Sequence, residues 1–264
     1  MSALAESSVA LRKPADDAAV LSRIEAWLPP LLSVVAGTVD LTGFFSLGHV
    51  FTAHVTGNLV VAAAAAVNGG PVNSAQVLAI PVFMLALALV WLIAHASRLH
   101  GASLARLLLS IHFLLLAAVL VFSVLTRPSA DPMGFMAGIA VMIAVAAMAC
   151  QFALLRLAIP GAVSTAVMTG NLTNAVLSSM DLLSRRPLLA DDARRLKRSL
   201  QLLCGFLVGC VLAAAALSVL RDWAWSLPVM ASGVALACAL PAKSIRMRGS
   251  VVRDADANTQ QPSH

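Results

Sequence analysis

Met133-Gly134-Phe135-Met136-Ala137-Gly138-Ile139-Ala140-Val141-Met142-Ile143-Ala144-Val145-Ala146-Ala147-Met148-Ala149-Cys150-Gln151-Phe152-Ala153-Leu154-Leu155 is a run of 23 residues without one formal charge. A helix needs roughly 20 apolar residues to cross a hydrocarbon core of about 30 Å. Val77–Ala96, Leu107–Thr126, Leu200–Leu220 and Ala224–Leu240 are further windows of the same kind. They are continuous runs rather than period-two alternation, which excludes a β-barrel. Inside a bilayer every backbone polar group must be paired within its own segment, so the runs are predicted to be helices. The whole chain is 60% hydrophobic and 11% charged, a composition unlike that of a water-soluble domain.

The net charge of +6 is distributed in clusters. Lys and Arg gather in the N-terminal tail, in Ser97–Arg106, in Asp181–Ser199 and after Ala242. These stretches flank the apolar runs, so the excess reports orientation and not a nucleic-acid partner. Cys150, Cys204, Cys210 and Cys238 lie inside apolar runs with no C-x-x-C pair and no clustered His or acid. They read as small hydrophobes, and no metal site or cofactor is expected.

Two octapeptides repeat. Thr52-Ala53-His54-Val55-Thr56-Gly57-Asn58-Leu59 and Thr165-Ala166-Val167-Met168-Thr169-Gly170-Asn171-Leu172 agree at six of eight positions with a constant offset of 113. Each follows an apolar segment and precedes two long apolar helices, which predicts a duplicated chain. If the T-G-N segments dip in and return, six crossings result and the second half is inverted. Counting Lys and Arg then gives 16 inside and two outside, Arg127 and Arg221. If every segment crosses, eight helices form parallel repeats and the count is 14 to four. The positive-inside rule favours the first scheme.

The expected architecture is therefore an all-α integral membrane protein of two inverted repeats, 31–126 and 133–241, with six crossings and two re-entrant T-G-N segments. Residues 1–30 read as a cytoplasmic tail carrying a short amphipathic helix (Val20, Leu21, Ile24, Trp27, Leu28) that stops at Pro29-Pro30. Residues 242–264 read as a disordered cytoplasmic tail. No cleavable signal is visible, so the chain is expected in a bacterial inner membrane with both termini cytoplasmic.

Thr and Asn are good helix N-caps, and Gly permits a sharp turn, so helices starting at Leu59 and Leu172 would aim free N–H groups at mid-membrane. The alternative is that the motifs only pack helices closely. Asp40 lies deep in the first apolar run, where a carboxylate is a functional candidate by default. It either couples protons or pairs permanently with His54, His49 or Arg156. The candidate solute pathway is Asp40, His54, Thr56, Gly57, Asn58, Gln151, Thr169, Gly170 and Asn171; His49 and Arg156 are possible ion-pair or anchor residues, and His112 ranks lower. No nucleophile–base set stands at workable spacing, so no catalytic residue and no enzyme are expected.

Ala36-Gly37-Thr38-Val39-Asp40, Gly48-His49-Val50-Phe51 and Thr56-Gly57-Asn58 resemble the first-half signature of the YoaK-like family of bacterial membrane proteins. Gln151-Phe152-Ala153-Leu154-Leu155-Arg156 and Thr169-Gly170-Asn171-Leu172-Thr173 resemble its second half, though the family pattern has Asn where this chain has Phe152. The resemblance runs from about Leu28 to Pro241 and implies a multi-helix membrane protein of no established reaction. Three functions compete. The first is a secondary transporter for a small solute, with its site between the two T-G-N motifs. The second is a passive aquaporin-like channel. The third is a membrane scaffold that recruits a partner through Asp181–Ser199. The expected partners are the lipid bilayer, a small solute and, in a homo-oligomer, further copies of the chain.

Overall fold

The structure is a computed structural model that describes residues 2–159, 162, 164–165, 168–184 and 190–240, with side chains described from Ile24 onward and, past the second motif, from Ala193. Among these residues there are eight α-helices and no strand. They are α1 (Ser2–Ser46), α2 (Gly57–Val67), α3 (Ser74–Ser97), α4 (Gly101–Thr126), α5 (Phe135–Ala158), α6 (Met168–Leu183), α7 (Ala190–Leu220) and α8 (Ser226–Ala239). Short 3-10 turns, Pro128–Ala130 and Arg221–Trp225, precede α5 and α8. Five segments are long and apolar enough to cross a membrane: Ile24–Ser46, α3, α4, α5 and Ala193–Ala239, the last combining α7 with α8. At about 1.5 Å per residue, the 11 residues of α2 reach only half a hydrocarbon core.

The outward faces are apolar. Val60 on α2, Met84 and Leu92 on α3, Leu177 on α6, and Leu207, Val211 and Val219 on α7 are all exposed. In water such a surface would demand a cover; in a bilayer the lipid tails supply it. The drive to bury apolar groups between helices is correspondingly weak, and close backbone packing takes its place.

That packing is clearest between α1 and α7, the most extensive pairing in the structure. A Cβ built on Gly37 of α1 would collide with the Phe206 carbonyl. On α7, a Cβ on Gly209 would collide with the Val34 carbonyl, and one on Gly205 would come 2.8 Å from the Pro30 carbonyl. Gly205-x-x-x-Gly209 thus presents one bare stripe along which α1 lies backbone to backbone, as small-x-x-x-small motifs do in membranes. Ser33 adds a buried hydrogen bond, its Oγ donating to the Leu202 carbonyl at 2.6 Å.

The remaining helices join this pair. α5 packs against both α3 and α4, α8 against α4 and α1, α2 against α3, and α6 against α7. At one end of the bundle, Asn73 Nδ2 donates to the Gly48 carbonyl at 3.0 Å and Ser129 Oγ donates to Asp222 Oδ2 at 2.8 Å. A Cβ on Gly48 would meet Pro132 O at 2.5 Å, so the end of α1 and the connections before α3, α5 and α8 all gather there. At the opposite end Arg106 Nε donates to the Ala239 carbonyl at 2.9 Å.

Two features differ from the sequence expectation. Helix α1 runs unbroken through Pro29-Pro30 instead of stopping there. Proline removes a helical N–H and crowds the preceding turn, yet membrane helices tolerate it where neighbours pack around the freed groups, as Gly205 does at Pro30. The basic stretch Asp181–Ser199 is largely helical: its ends belong to α6 and α7, and residues 185–189 lie outside the described ones. The tail expected at 242–264 also lies outside them.

A test of the backbone contact follows from the glycines. Gly209→Leu should lower thermal stability in detergent by the equivalent of about 1–3 kcal/mol or more through overpacking. Gly138→Leu, whose Cβ meets nothing within 4 Å, should leave stability nearly unchanged. Equal melting temperatures for the two variants would remove the close α1–α7 seam.

Candidate functional site

The site is built where the chain leaves α1. Helix α1 ends in Gly48 and His49, both with left-handed backbone (φ 78° and 60°), and His49 N donates to Phe44 O at 2.9 Å. Gly48 is needed twice over, for its positive φ and because Asn73 and Pro132 leave no room for a Cβ. After this reversal residues 50–56 run back alongside α1 without forming a helix. Their N–H groups must find partners inside the protein.

Asp40 supplies them. Its Oδ1 accepts from the backbone N–H groups of Thr52 and Ala53, both at 2.7 Å, and from Thr52 Oγ1 at 3.3 Å. Its Oδ2 lies 2.5 Å from His54 Nδ1. The Asp40 side chain is 4% exposed and His54 31% exposed. A carboxylate accepting two N–H groups and an imidazole is well matched to carry its charge away from water. The other face of the His54 ring meets Phe206 of α7 edge-on, with centroids 5.1 Å apart. Asp40 and its partner therefore tie the returning segment to α1, while part of the imidazole still meets the outside.

Asn58 does a second piece of the same work. Its Oδ1 accepts from Phe51 N at 2.7 Å and its Nδ2 donates to Phe51 O at 2.8 Å, closing the loop on itself. The side chain is buried, whereas Thr56 is exposed and makes no cap hydrogen bond. The helix begins at Gly57, with Thr56 already helical in backbone, so the N-cap expected of the motif is absent. The physical reason is that Asn58 spends its amide on the loop backbone, seven residues back, and not on its own helix. A Cβ on Gly57 would lie 3.2 Å from the Phe51 ring, which ties the glycine to the same closure.

The second motif repeats this chemistry. Asn171 is buried and its Nδ2 donates to Ser164 O at 3.0 Å, again seven residues back. Thr169 is exposed, like Thr56, and Gly170 is half-buried; the helix here starts at Met168. The position equivalent to Thr52 is Thr165, which is buried. Its partner is not a carboxylate: Gln151 Nε2 donates to Thr165 Oγ1 at 3.4 Å and to the Leu32 carbonyl at 3.0 Å. Ala166 and Val167 lie outside the described residues.

Of the other candidates, Arg156 is exposed near the end of α5 and His49 is exposed at the end of α1, its ring against Phe44. Neither contacts Asp40, whose partner is His54. His112 is buried in α4 with Nδ1 3.0 Å from the Ala147 carbonyl, outside this cluster. The two motifs also stay apart. Gln151 meets α1 at Leu32 and the first loop meets it at Asp40, eight residues or about 12 Å along the axis. Thr52, Thr165 and Phe206 escaped the sequence analysis as site residues. The first two open the repeated octapeptide, so a signal for them existed; Phe206 had none.

Residues 28–240 match the family described as "Protein of unknown function (DUF1275)". The chain belongs to this family. A stretch of 31 residues is 61% identical to the "UPF0700 transmembrane protein YoaK" of Bacillus subtilis (strain 168). That stretch is 12% of this chain and 14% of the Bacillus protein, so it carries the likeness and not a whole-protein comparison. No solved structure matches the chain. For this DUF1275 member the membrane-spanning character is thus supported by a transmembrane relative and by the apolar helices alike.

The clamp assigned to the asparagines predicts their mutational cost. Asn58→Leu leaves the N–H and C=O of the half-buried Phe51 without their partner, at up to about 1–3 kcal/mol for each group. Both Asn58→Leu and Asn171→Leu should therefore lower the melting temperature of the detergent-purified protein, while Thr56→Val should not. Wild-type stability in the two asparagine variants would contradict the clamp.

Proposed function

We propose that this protein is a secondary transporter for a small solute, and not an enzyme, built of two inverted repeats with six crossings and two re-entrant units. The observation that carries this is the Asp40–His54 pair. A buried carboxylate holds a membrane-inserted loop to α1 through a histidine that remains partly accessible. Ionisable groups inside membrane segments are costly and mark ion or substrate paths.

The packing supports the inverted arrangement. Exchanging the halves (α1 for α5, α2 for α6, α3 for α7, α4 for α8) turns the main helix pairings into one another. α1 with α7 becomes α5 with α3, α4 with α5 becomes α8 with α1, and α2 with α3 becomes α6 with α7. Because Gly48, Asn73, Ser129 and Asp222 share one end, α1, α3, α4, α5, α7 and α8 each connect the two ends, and α2 returns to the end its loop came from. Helix α5 runs from that shared end to the opposite one, so the second unit, which follows it in the chain, would enter from the side opposite to the first. Discontinuous helices in inverted repeats are a transporter arrangement, with sites at the repeat interface. The solute path then runs beside α1 between the levels of Leu32 and Asp40, with His54 and Phe206 on its wall.

Orientation follows from charge. The end bearing Arg98, Arg106 and Arg194–Arg198 is the cytoplasmic one, in a bacterial inner membrane, with both chain termini on that side. Single cysteines placed at Asn68 and Ser129 of a cysteine-free variant should react with an impermeant maleimide on intact spheroplasts, and a cysteine at Leu99 should not. Labelling of Leu99 with protection of both Asn68 and Ser129 would overturn the scheme: together with a cytoplasmic N-terminus it leaves eight crossings, and with an external N-terminus it reverses the orientation.

Transport itself is tested with proteoliposomes and a panel of radiolabelled amino acids, sugars, organic acids and polyamines under an imposed pH gradient. At least one solute should accumulate in a gradient-dependent manner. Asp40→Asn keeps an acceptor for Thr52 and Ala53, so it should still fold, and accumulation should become insensitive to the gradient. Downhill flux that survives in Asp40→Asn unchanged would favour the channel. No flux of any panel member, with or without the gradient, would count against both.

A further inference from the structure

We propose that the basic end of α7 holds an anionic glycerophospholipid. Its phosphate-bearing headgroup sits in a pocket between α1 and α7, and an acyl chain lies in the adjoining groove between α6 and α7. The inference does not depend on the transport proposal.

Length sets the depth. Helix α7 has 31 residues and so extends about 46 Å, well beyond a hydrocarbon core of about 30 Å. The charge-free stretch Leu200–Leu220 accounts for about 31 Å of it, which leaves Arg194–Arg198 standing at the level of lipid headgroups. At that level a pocket of about 430 Å³ opens between the helices. Among the described residues, Arg194, Lys197 and Arg198 line it with one acid, Glu25, and Gln201 adds a further polar group. Its apolar side comes from Pro29, Pro30 and the buried Leu202. Guanidinium forks match phosphate oxygens in pairs, and basic pockets between membrane helices recognise phospholipid headgroups.

The second observation points to a lipid rather than a soluble anion. On the adjacent face of α7, a groove of about 410 Å³ runs along α6 between Leu182, Leu196 and Leu200 toward Cys204. Lys197 and Gln201 border both spaces, so the groove starts where the pocket ends. From Ala193 to Cys204 it descends from headgroup level into the apolar stretch. A free phosphate uses only the first space. One phospholipid uses both, with its charge at the cations and its chain along the leucines.

The test uses the full-length protein, delipidated in detergent, with lipid binding read by native mass spectrometry. Phosphatidylglycerol and phosphatidylethanolamine are offered in parallel, with inorganic phosphate as competitor. Phosphatidylglycerol should bind preferentially. The variant K197Q/R198Q should bind it about 25-fold more weakly, about fivefold or about 1 kcal/mol per lost cation. R98Q, exposed outside both spaces, should bind as wild type. L200W, which fills the groove, should weaken the lipid as well, and inorganic phosphate should compete poorly. Should K197Q/R198Q fail to fold, raised salt on the wild-type protein is the substitute and should weaken phosphatidylglycerol selectively. Equal binding of the two lipids, or undiminished binding in K197Q/R198Q, overturns the site. Displacement by phosphate together with normal binding in L200W makes it a soluble-anion site and overturns the lipid assignment.

Discussion

A backbone that turns back beside a packed helix buries N–H groups that must find partners within the protein, and the Asp40 carboxylate meets them here. Two of its hydrogen bonds go to consecutive amides, Thr52 and Ala53, and its second oxygen faces His54. Each unsatisfied group in hydrocarbon would cost several kcal/mol, which no apolar contact nearby replaces. Once the loop is held, Asn58 closes it on Phe51 and α2 sets out toward the end where Gly48 and Asn73 meet. The short helix, the reversal at Gly48 and the approach of His54 to Phe206 all depend on that anchor.

The second half solves the same problem without a charge. Gln151 reaches Thr165 and the Leu32 carbonyl, and Asn171 clamps Ser164 as Asn58 clamps Phe51. Among the described residues, the anchor of the first loop is a carboxylate and that of the second a neutral amide. Helix α1 is the shared spine, contacted at Leu32 by Gln151 of α5 and tied at Asp40 to the first loop, and pinned along α7 by Gly37, Gly205 and Gly209.

Much of this was legible in the chain. Charge-free runs long enough to span a bilayer gave the helices, the octapeptide offset pointed to the two motif sites, and a lone carboxylate in an apolar run marked Asp40. The roles of the motif residues were harder to read. Asn next to Gly is a good N-cap by local rules, but a tertiary demand, the unpaired backbone of Phe51, claims its amide instead. Pro29-Pro30 reads as a helix stop because local propensity carries no information about the Gly205 backbone packed against it. Gly205-x-x-x-Gly209 was a readable pattern with a known physical use, hidden inside a run whose apolarity alone had seemed to explain it. Phe206 at His54 is a contact between residues 152 apart in sequence, and nothing local records it.

The central claim is that Asp40 holds the backbone of a membrane-inserted loop, and amide hydrogen exchange reads that directly. In lipid nanodiscs, the segment 50–58 of the wild-type protein should exchange as slowly as α2, although it is not helical. In Asp40→Ala the amides of Thr52 and Ala53 should exchange far faster, while α3, α4 and α5 keep their protection. Fast exchange of this segment in the wild type, or unchanged protection in Asp40→Ala, would contradict the account.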